Sequence, residues 1–262
     1  MTVDLETVKK LVKDYGISSD NKNGQNFLIN KDFLDMELDA AELKQEDVVL
    51  EIGAGFGALT EELLKKCTVI AIEKDVGIYS YLINKYELRS NLTLVNGDAL
   101  EMAFPAFNKI VCNPPYNIVD RILNKLIRYD FDLGVMMLPK SISDQLTGNS
   151  EQTRISFIQR AFFDFQGITD VPKSAFYPEP RVTSIMVKFR RKRNDMMQEI
   201  IKHDEMTLKN AIMRSDYVLN SKTKRESKIK IESVRETVGD LLDKEVKRFN
   251  LGELEMVQKL FA

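Results

Sequence analysis

Val48-Val49-Leu50-Glu51-Ile52-Gly53-Ala54-Gly55-Phe56-Gly57-Ala58-Leu59-Thr60 decides the fold. An aliphatic, β-branched run enters a turn with glycine at every second position, and a helical pattern, expected over residues 60–66, leaves it. Glycine lets a backbone approach a ligand closely, and the free N–H groups of a following helix N-terminus favour negative or polar groups. The Gly-x-Gly-x-Gly spacing is not the Gly-x-Gly-x-x-Gly of dinucleotide sites, so context carries the reading. Gly53 and Gly55 are therefore candidate cofactor contacts.

Downstream, short apolar runs alternate with helical patterns, which predicts a mostly parallel sheet covered on both faces. Strands are expected over 69–73, 92–95, Lys109–Cys112 and 133–138, with a helix over 76–86. In such sheets ligands bind beyond the carboxyl ends of the strands. Glu73 ends the second strand, where a carboxylate can accept both hydroxyls of a ribose. Asn96-Gly97-Asp98-Ala99 follows the third and puts Asp98 at the same edge, able to accept from an adenine amino group. Each acid alone fits a helix cap or turn equally well; at consecutive strand ends they read as one site.

The fourth strand runs into Asn113-Pro114-Pro115-Tyr116. Proline has no backbone N–H, so this segment offers carbonyls, the Asn113 side-chain oxygen and the Tyr116 ring, with few competing donors. A conjugated amino group is a poor nucleophile until acceptors hold its hydrogens and let the nitrogen pyramidalise. Asn113 and Pro114 are suited to that task and Tyr116 to stacking. The other reading of the segment is a proline-rich turn closing a strand.

With 262 residues, 44% of them apolar, the chain fits one large domain with a small appendage. The polar, acidic start and the absence of long apolar runs predict a cytoplasmic protein. Cys67, Cys112 and His203 form no metal-ligand spacing, so no metal is expected. The net charge of −2 is unusual for a nucleic-acid binder. Residues 188–230, however, hold thirteen Lys or Arg against six Asp or Glu, densest at Arg190-Arg191-Lys192-Arg193. That run reads either as a phosphate-facing patch or as solvated surface.

In order and combination, the glycine turn, Glu73, Gly97-Asp98 and Asn113-Pro114-Pro115-Tyr116 resemble S-adenosylmethionine-dependent amino methyltransferases. Two further segments narrow the resemblance to the KsgA-type rRNA adenine N6,N6-dimethyltransferases: Gly24-Gln25-Asn26-Phe27-Leu28, and Phe176-Tyr177-Pro178 with Pro180, Val182 and Ser184. The resemblance spans about residues 22–190. It implies a Rossmann-like seven-stranded α/β sheet over residues 1–190 and a small helical domain over 191–262, whose tail runs from about Asn194 with amphipathic helices near residues 229–242. It also implies that Asn26, Leu28, Gly53, Glu73, Asp98 and Asn113 hold S-adenosylmethionine and that Asn113 to Tyr116 face the target adenine. Phe176 would pack over the base, although an aromatic there equally suits a core. The chain departs from the family pattern at Leu138-Pro139-Lys140-Ser141 and at Thr153-Arg154-Ile155-Ser156.

The implied reaction is direct attack of adenine N6 on the sulfonium methyl, twice, in small-subunit ribosomal RNA during ribosome biogenesis. The alternatives are a DNA adenine or a protein glutamine as substrate, or an assembly-binding factor whose methylation is dispensable. Nothing in the sequence calls for an obligate oligomer, so a monomer is expected.

Overall fold

A computed structural model describes residues 5–16, 25–193, 195–220 and 222–261; Gly24 of the glycine-glutamine motif and Asn194 lie outside the described residues. The chain divides into two compact units, Met1–Ser150 with Asp164–Arg191, and Glu151–Phe163 with Lys192–Ala262.

Helix α1 (Leu5–Asp14) and the two-residue strand β1 (Phe27–Leu28) precede α2 (Lys31–Ala40), which is capped by the Asn30 side chain accepting from the Asp32 and Phe33 amides. Then β2 (Val48–Ile52), α3 (Ala58–Leu63), β3 (Thr68–Glu73), α4 (Val76–Lys85), β4 (Leu92–Asn96) and β5 (Lys109–Cys112) alternate, followed by α5 (Val119–Leu126), β6 (Leu133–Pro139) and α6 (Lys140–Thr147). Beyond them come α7 (Arg154–Phe162), β7 (Phe163–Val171), β8 (Phe176–Tyr177) and β9 (Ser184–Arg191).

Seven strands form one sheet in the order β4-β3-β2-β5-β6-β9-β7. The β2 register pairs in parallel with both β3 and β5, whereas β6 pairs antiparallel with β9. Successive strands thus build outward from β2 in one direction through β3 and β4, and then in the other from β5. The reversal lies between β2 and β5, and a doubly wound sheet opens a crevice beyond the strand ends at such a point. Strands β5 and β6 are buried along their whole length, as parallel strands covered on both faces must be. A separate two-stranded ladder pairs Leu28 with Phe176 and Phe27 with Tyr177.

The helix after the glycine turn is shorter and earlier than its sequence pattern predicts. It begins at Ala58 because Gly57, at φ +80°, supplies the left-handed residue that turns the chain into it. It ends at Leu63 because the Lys65 and Lys66 amides bond three residues back, tightening the chain toward β3.

The second unit contains α7 together with α8 (Met196–Lys202), α9 (Leu208–Asn220), α10 (Lys224–Val238) and α11 (Leu251–Phe261). Its core includes Phe157 of α7 beside Ile200, Ile212, Val234, Phe249 and Leu254, which is why this helix groups with the C-terminal helices despite preceding residue 191. Along α10 the buried positions are Ser227, Ile231, Val234 and Val238, a spacing of three and four. Ile229 falls off that face and is 66% exposed. Thr153 and Ser156 form a reciprocal capping box at the start of α7, and Arg154 donates to the Phe249 and Lys247 carbonyls. The Thr153-Arg154-Ile155-Ser156 departure is therefore a helix start with its own local logic.

The basic run at 190–193 differs from a free phosphate-facing patch. Arg190 pairs with Glu42 at 2.7 Å, Arg191 donates to the Tyr129 and Ile127 carbonyls at 2.9 and 3.0 Å, and Lys192 donates to the Arg160 carbonyl at 2.8 Å. Three of the four cations already satisfy acceptors within their own unit, while Arg193 is exposed.

Candidate active site

A cavity of about 490 Å³ opens beyond the carboxyl ends of β2, β3, β4 and β5. Of the sequence-predicted residues, it gathers Asn26, Gly53, Gly55, Glu73, Asp98 and Asn113. Gln25 and Pro115, both within the quoted motifs, also line it, as do Asp75 and Asn117, which belong to no motif.

The floor comes from the glycine turn. Gly53, at φ +78°, follows β2 directly and donates its amide to the Ile72 carbonyl at 2.8 Å, which locks the turn to β3. At Gly55, φ is +53° and an added Cβ would lie 3.0 Å from the Phe27 ring. Both the conformation and the space demand glycine there. The Phe27 ring packs on Phe56 at a centroid distance of 4.7 Å, so the turn is pinned from its far side as well.

Glu73, 5% exposed, ends β3. One of its oxygens accepts from the Gly55 amide at 2.9 Å and the other from the Asp75 amide at 2.8 Å. An ionised carboxylate has roughly four lone-pair sites, so two stay available for vicinal hydroxyls. Burial pushes the Glu73 carboxyl up, against the pull of the Asp75, Gly55 and Lys74 amides. Asp98 accepts from the Leu100 amide at 2.8 Å and from Lys74 at 3.0 Å, and these two donors, the amide first, hold its pKa below the usual carboxylate range. The β4 end is itself tied to β3, because the Asn96 amide group donates to the Glu73 carbonyl at 2.9 Å.

Asn113 follows β5. Its Nδ2 donates to Glu37 Oε2 of α2 at 2.9 Å, while its Oδ1 is buried with no hydrogen-bond partner among the described residues. Glu37 is wholly buried, and desolvation pushes its pKa up to about 8. Glu51, on β2 before the first glycine, is 1% exposed and accepts from Thr60 Oγ1 at 2.6 Å; burial lifts it to about 8 too, with the charges of Glu37 and Glu73 adding to the effect.

Four predicted residues lie away from the cavity lining. Leu28 instead lines a smaller cavity of about 50 Å³ behind the glycine turn, shared with Asn26, Glu51 and Asn113. Pro114 is buried. Tyr116 has its hydroxyl engaged by Ser184 Oγ, and burial raises that hydroxyl's pKa. Phe176 is 2% exposed within the main core and its backbone pairs with Leu28, which matches the core role that the sequence offered beside packing over the base.

Glu37 escaped motif reading because it sits in Asp35-Met36-Glu37-Leu38-Asp39, which looks like a solvated acidic helix face. The one available signal was periodicity: position 37 lies on the same side as Leu34, Leu38 and Ala41, all of them buried.

A doubly wound sheet with acids at consecutive strand ends, a glycine cradle that a Cβ would fill and an Asn-Pro-Pro-Tyr segment after the fourth parallel strand defines an S-adenosylmethionine-dependent methyltransferase site. The sequence profile described as ribosomal RNA adenine dimethylase matches residues 16–246, and the chain belongs to that family. A probable ribosomal RNA small subunit methyltransferase A of Pyrococcus abyssi is 33% identical over 234 residues, covering 86% of this chain and 87% of its own length. The protein of the same description from Methanosarcina barkeri is 34% identical over 269 residues, covering 95% and 90%. Among solved structures, a dimethyladenosine transferase from Plasmodium falciparum superposes with a TM-score of 0.62 at 26% identity, covering 88% of this chain and 95% of that one. The 23S rRNA methyltransferase ErmE gives a TM-score of 0.62 at 21% identity, covering 90% and 99%, a likeness of fold.

Proposed function

We propose that this chain dimethylates adenine N6 in small-subunit ribosomal RNA, at the cavity bounded by Gly53, Glu73, Asp98 and Asn113. The carrying observation is the Asn113 amide, whose nitrogen is committed to Glu37 and whose oxygen has no partner among the described residues. A buried acceptor without a donor is costly, at roughly 1–3 kcal/mol, and is tolerated where a ligand will satisfy it. An exocyclic amino group supplies that donor.

S-adenosylmethionine supplies an electrophilic methyl group when bound. The residues suited to hold it are Glu73 and Asp98 through their free acceptor sites, Gly53 and Gly55 through the close approach of their backbone, and Asn26 at the cavity edge. Asn113 accepts a hydrogen of the target amine, keeps the nitrogen lone pair directed at the methyl group, and stabilises the ammonium that develops. The alkylated nitrogen is acidic enough to release its proton afterwards, so this chain needs no strong general base. A loop adenine suits the site, since extruding it costs less than breaking a duplex pair.

The relatives named for the small subunit support that substrate class. In this reading the protein acts as a monomer on pre-small subunits in the cytoplasm; among the described residues no helix is long and apolar enough to cross a membrane. The test is transfer of labelled methyl groups to undermethylated small subunits, followed by nucleoside identification by mass.

A further inference from the structure

Glu37 belongs to no motif, yet it is the accepting end of the hydrogen bond that fixes Asn113. We infer that Glu37 is the positioning residue for Asn113, turning Nδ2 toward α2 so that Oδ1 remains the acceptor for the target amine. This inference rests on the reading of Asn113 given above.

A side-chain amide is ambiguous in orientation. Its two ends have nearly the same shape but opposite hydrogen-bonding character, so an asparagine facing an amino group works in one orientation only. If the amide were flipped, Nδ2 would present two donors to the hydrogens of the substrate, which is repulsive. Glu37 sets the orientation through Oε2, which sits 2.9 Å from Nδ2 and accepts there as a carboxylate oxygen or as the carbonyl oxygen of the protonated acid.

A carboxyl in this position is also costly. Glu37 is fully buried, its neighbours along the inner side of α2 are Leu34 and Leu38, and its Oε1 has no hydrogen-bond partner among the described residues. An aliphatic residue of similar volume would serve α2 better, since replacing a buried polar group by a well-packed apolar one is often neutral or stabilising. A carboxyl kept in such a place, touching a residue that lines the cavity, points to function. No ion pair explains it: what acts on its carboxyl is burial and the Asn113 amide, with no cation among the described residues beside it.

The experiment compares Glu37→Leu, Glu37→Met and Glu37→Gln, each alone and combined with Asn113→Ala, in the full chain. Turnover is measured at saturating cofactor and RNA, cofactor affinity by calorimetry, and folding by thermal midpoint. Removing the acceptor with Leu or Met is expected to lower kcat about tenfold or more, as a misplaced reacting group does, with the cofactor Kd within about threefold. Gln retains an acceptor and should bring kcat back to within about threefold of the parent. In the Asn113→Ala background the Leu and Met changes should add nothing, because a residue acting through another loses its effect when that other is gone. Met keeps the side chain unbranched, so the test stands if Leu does not fold. Full turnover in both apolar variants, or a loss that persists in the Asn113→Ala background, overturns the inference. If Asn113→Ala itself turns over normally, the functional reading falls and takes this inference with it; if Asn113→Ala is impaired while the apolar Glu37 variants are not, the inference alone fails.

Discussion

At Asn113, one end of a side-chain amide is held by Glu37 and the other has no donor among the described residues. On the proposed reaction, Asn113→Ala should lower kcat about a hundredfold, the scale of a lost transition-state hydrogen bond, while cofactor affinity changes far less. Single-turnover kinetics alongside calorimetry separates the two. At Gly55, alanine would meet the Phe27 ring at 3.0 Å from a backbone at φ +53°. Gly55→Ala is therefore expected to weaken cofactor binding about tenfold or more and to lower the thermal midpoint, whereas the same change at the open, exposed Gly252 should do neither. The buried acids add a pH dependence. Glu37 and Glu51 both have pKa values pushed up to about 8, so each stays protonated in the fold at pH values where the unfolded chain has already ionised it. Their contribution to stability is fully present below the ordinary carboxylate pKa and is lost as pH rises through about 8. Urea unfolding should thus show stability falling between pH 5 and pH 8 by about 1 kcal/mol per pH unit for each carboxyl. Glu37→Gln should flatten that slope, and an unchanged slope would mean that Glu37 ionises normally in the fold. The residues most legible in the sequence were those whose backbone position fixes their role: Gly53, Gly55, Glu73, Asp98 and Asn113 all follow or end a strand. Glu37 was not legible, because its role depends on which face of α2 packs inward.

Among elements, the parallel half of the sheet could be read almost to the residue. Lys109–Cys112 and Val48–Ile52 are short aliphatic runs with a sharp polar or glycine boundary, and a strand buried on both faces leaves that signature. The ladder of Phe27-Leu28 with Phe176-Tyr177 was not legible, since two residues carry no periodicity and their pairing joins segments far apart in the chain. That ladder also accounts for Phe176: once Leu28 is its partner, the ring belongs to the core. Similarly, Arg190 and Arg191 end β9 rather than opening a basic tail. Arg191 caps the Tyr129 and Ile127 carbonyls, so Arg191→Ala is expected to cost about 1–3 kcal/mol of stability by orphaning them. The salt dependence of RNA binding should stay as it was; a slope reduced by about one would instead give Arg191 a phosphate.

At the scale of the whole molecule, the same doubly wound sheet serves many chemistries, so the fold by itself leaves the substrate open. What narrows it is the combination of the strand-end acids, the Asn113 amide and membership of the ribosomal RNA adenine dimethylase family across residues 16–246. The helical unit was expected as a contiguous tail from residue 191, but α7 joins it from ahead of β7. Sequence order hides this, because only the packing of Phe157 among the C-terminal helices reveals it. The most direct test of the account is to incubate the purified chain with methyl-labelled S-adenosylmethionine and undermethylated small ribosomal subunits, digest the RNA and weigh the labelled nucleoside. The account predicts N6,N6-dimethyladenosine, formed about a hundredfold more slowly by Asn113→Ala. Label confined to protein or DNA, or no label in RNA while the cofactor demonstrably binds, would contradict it.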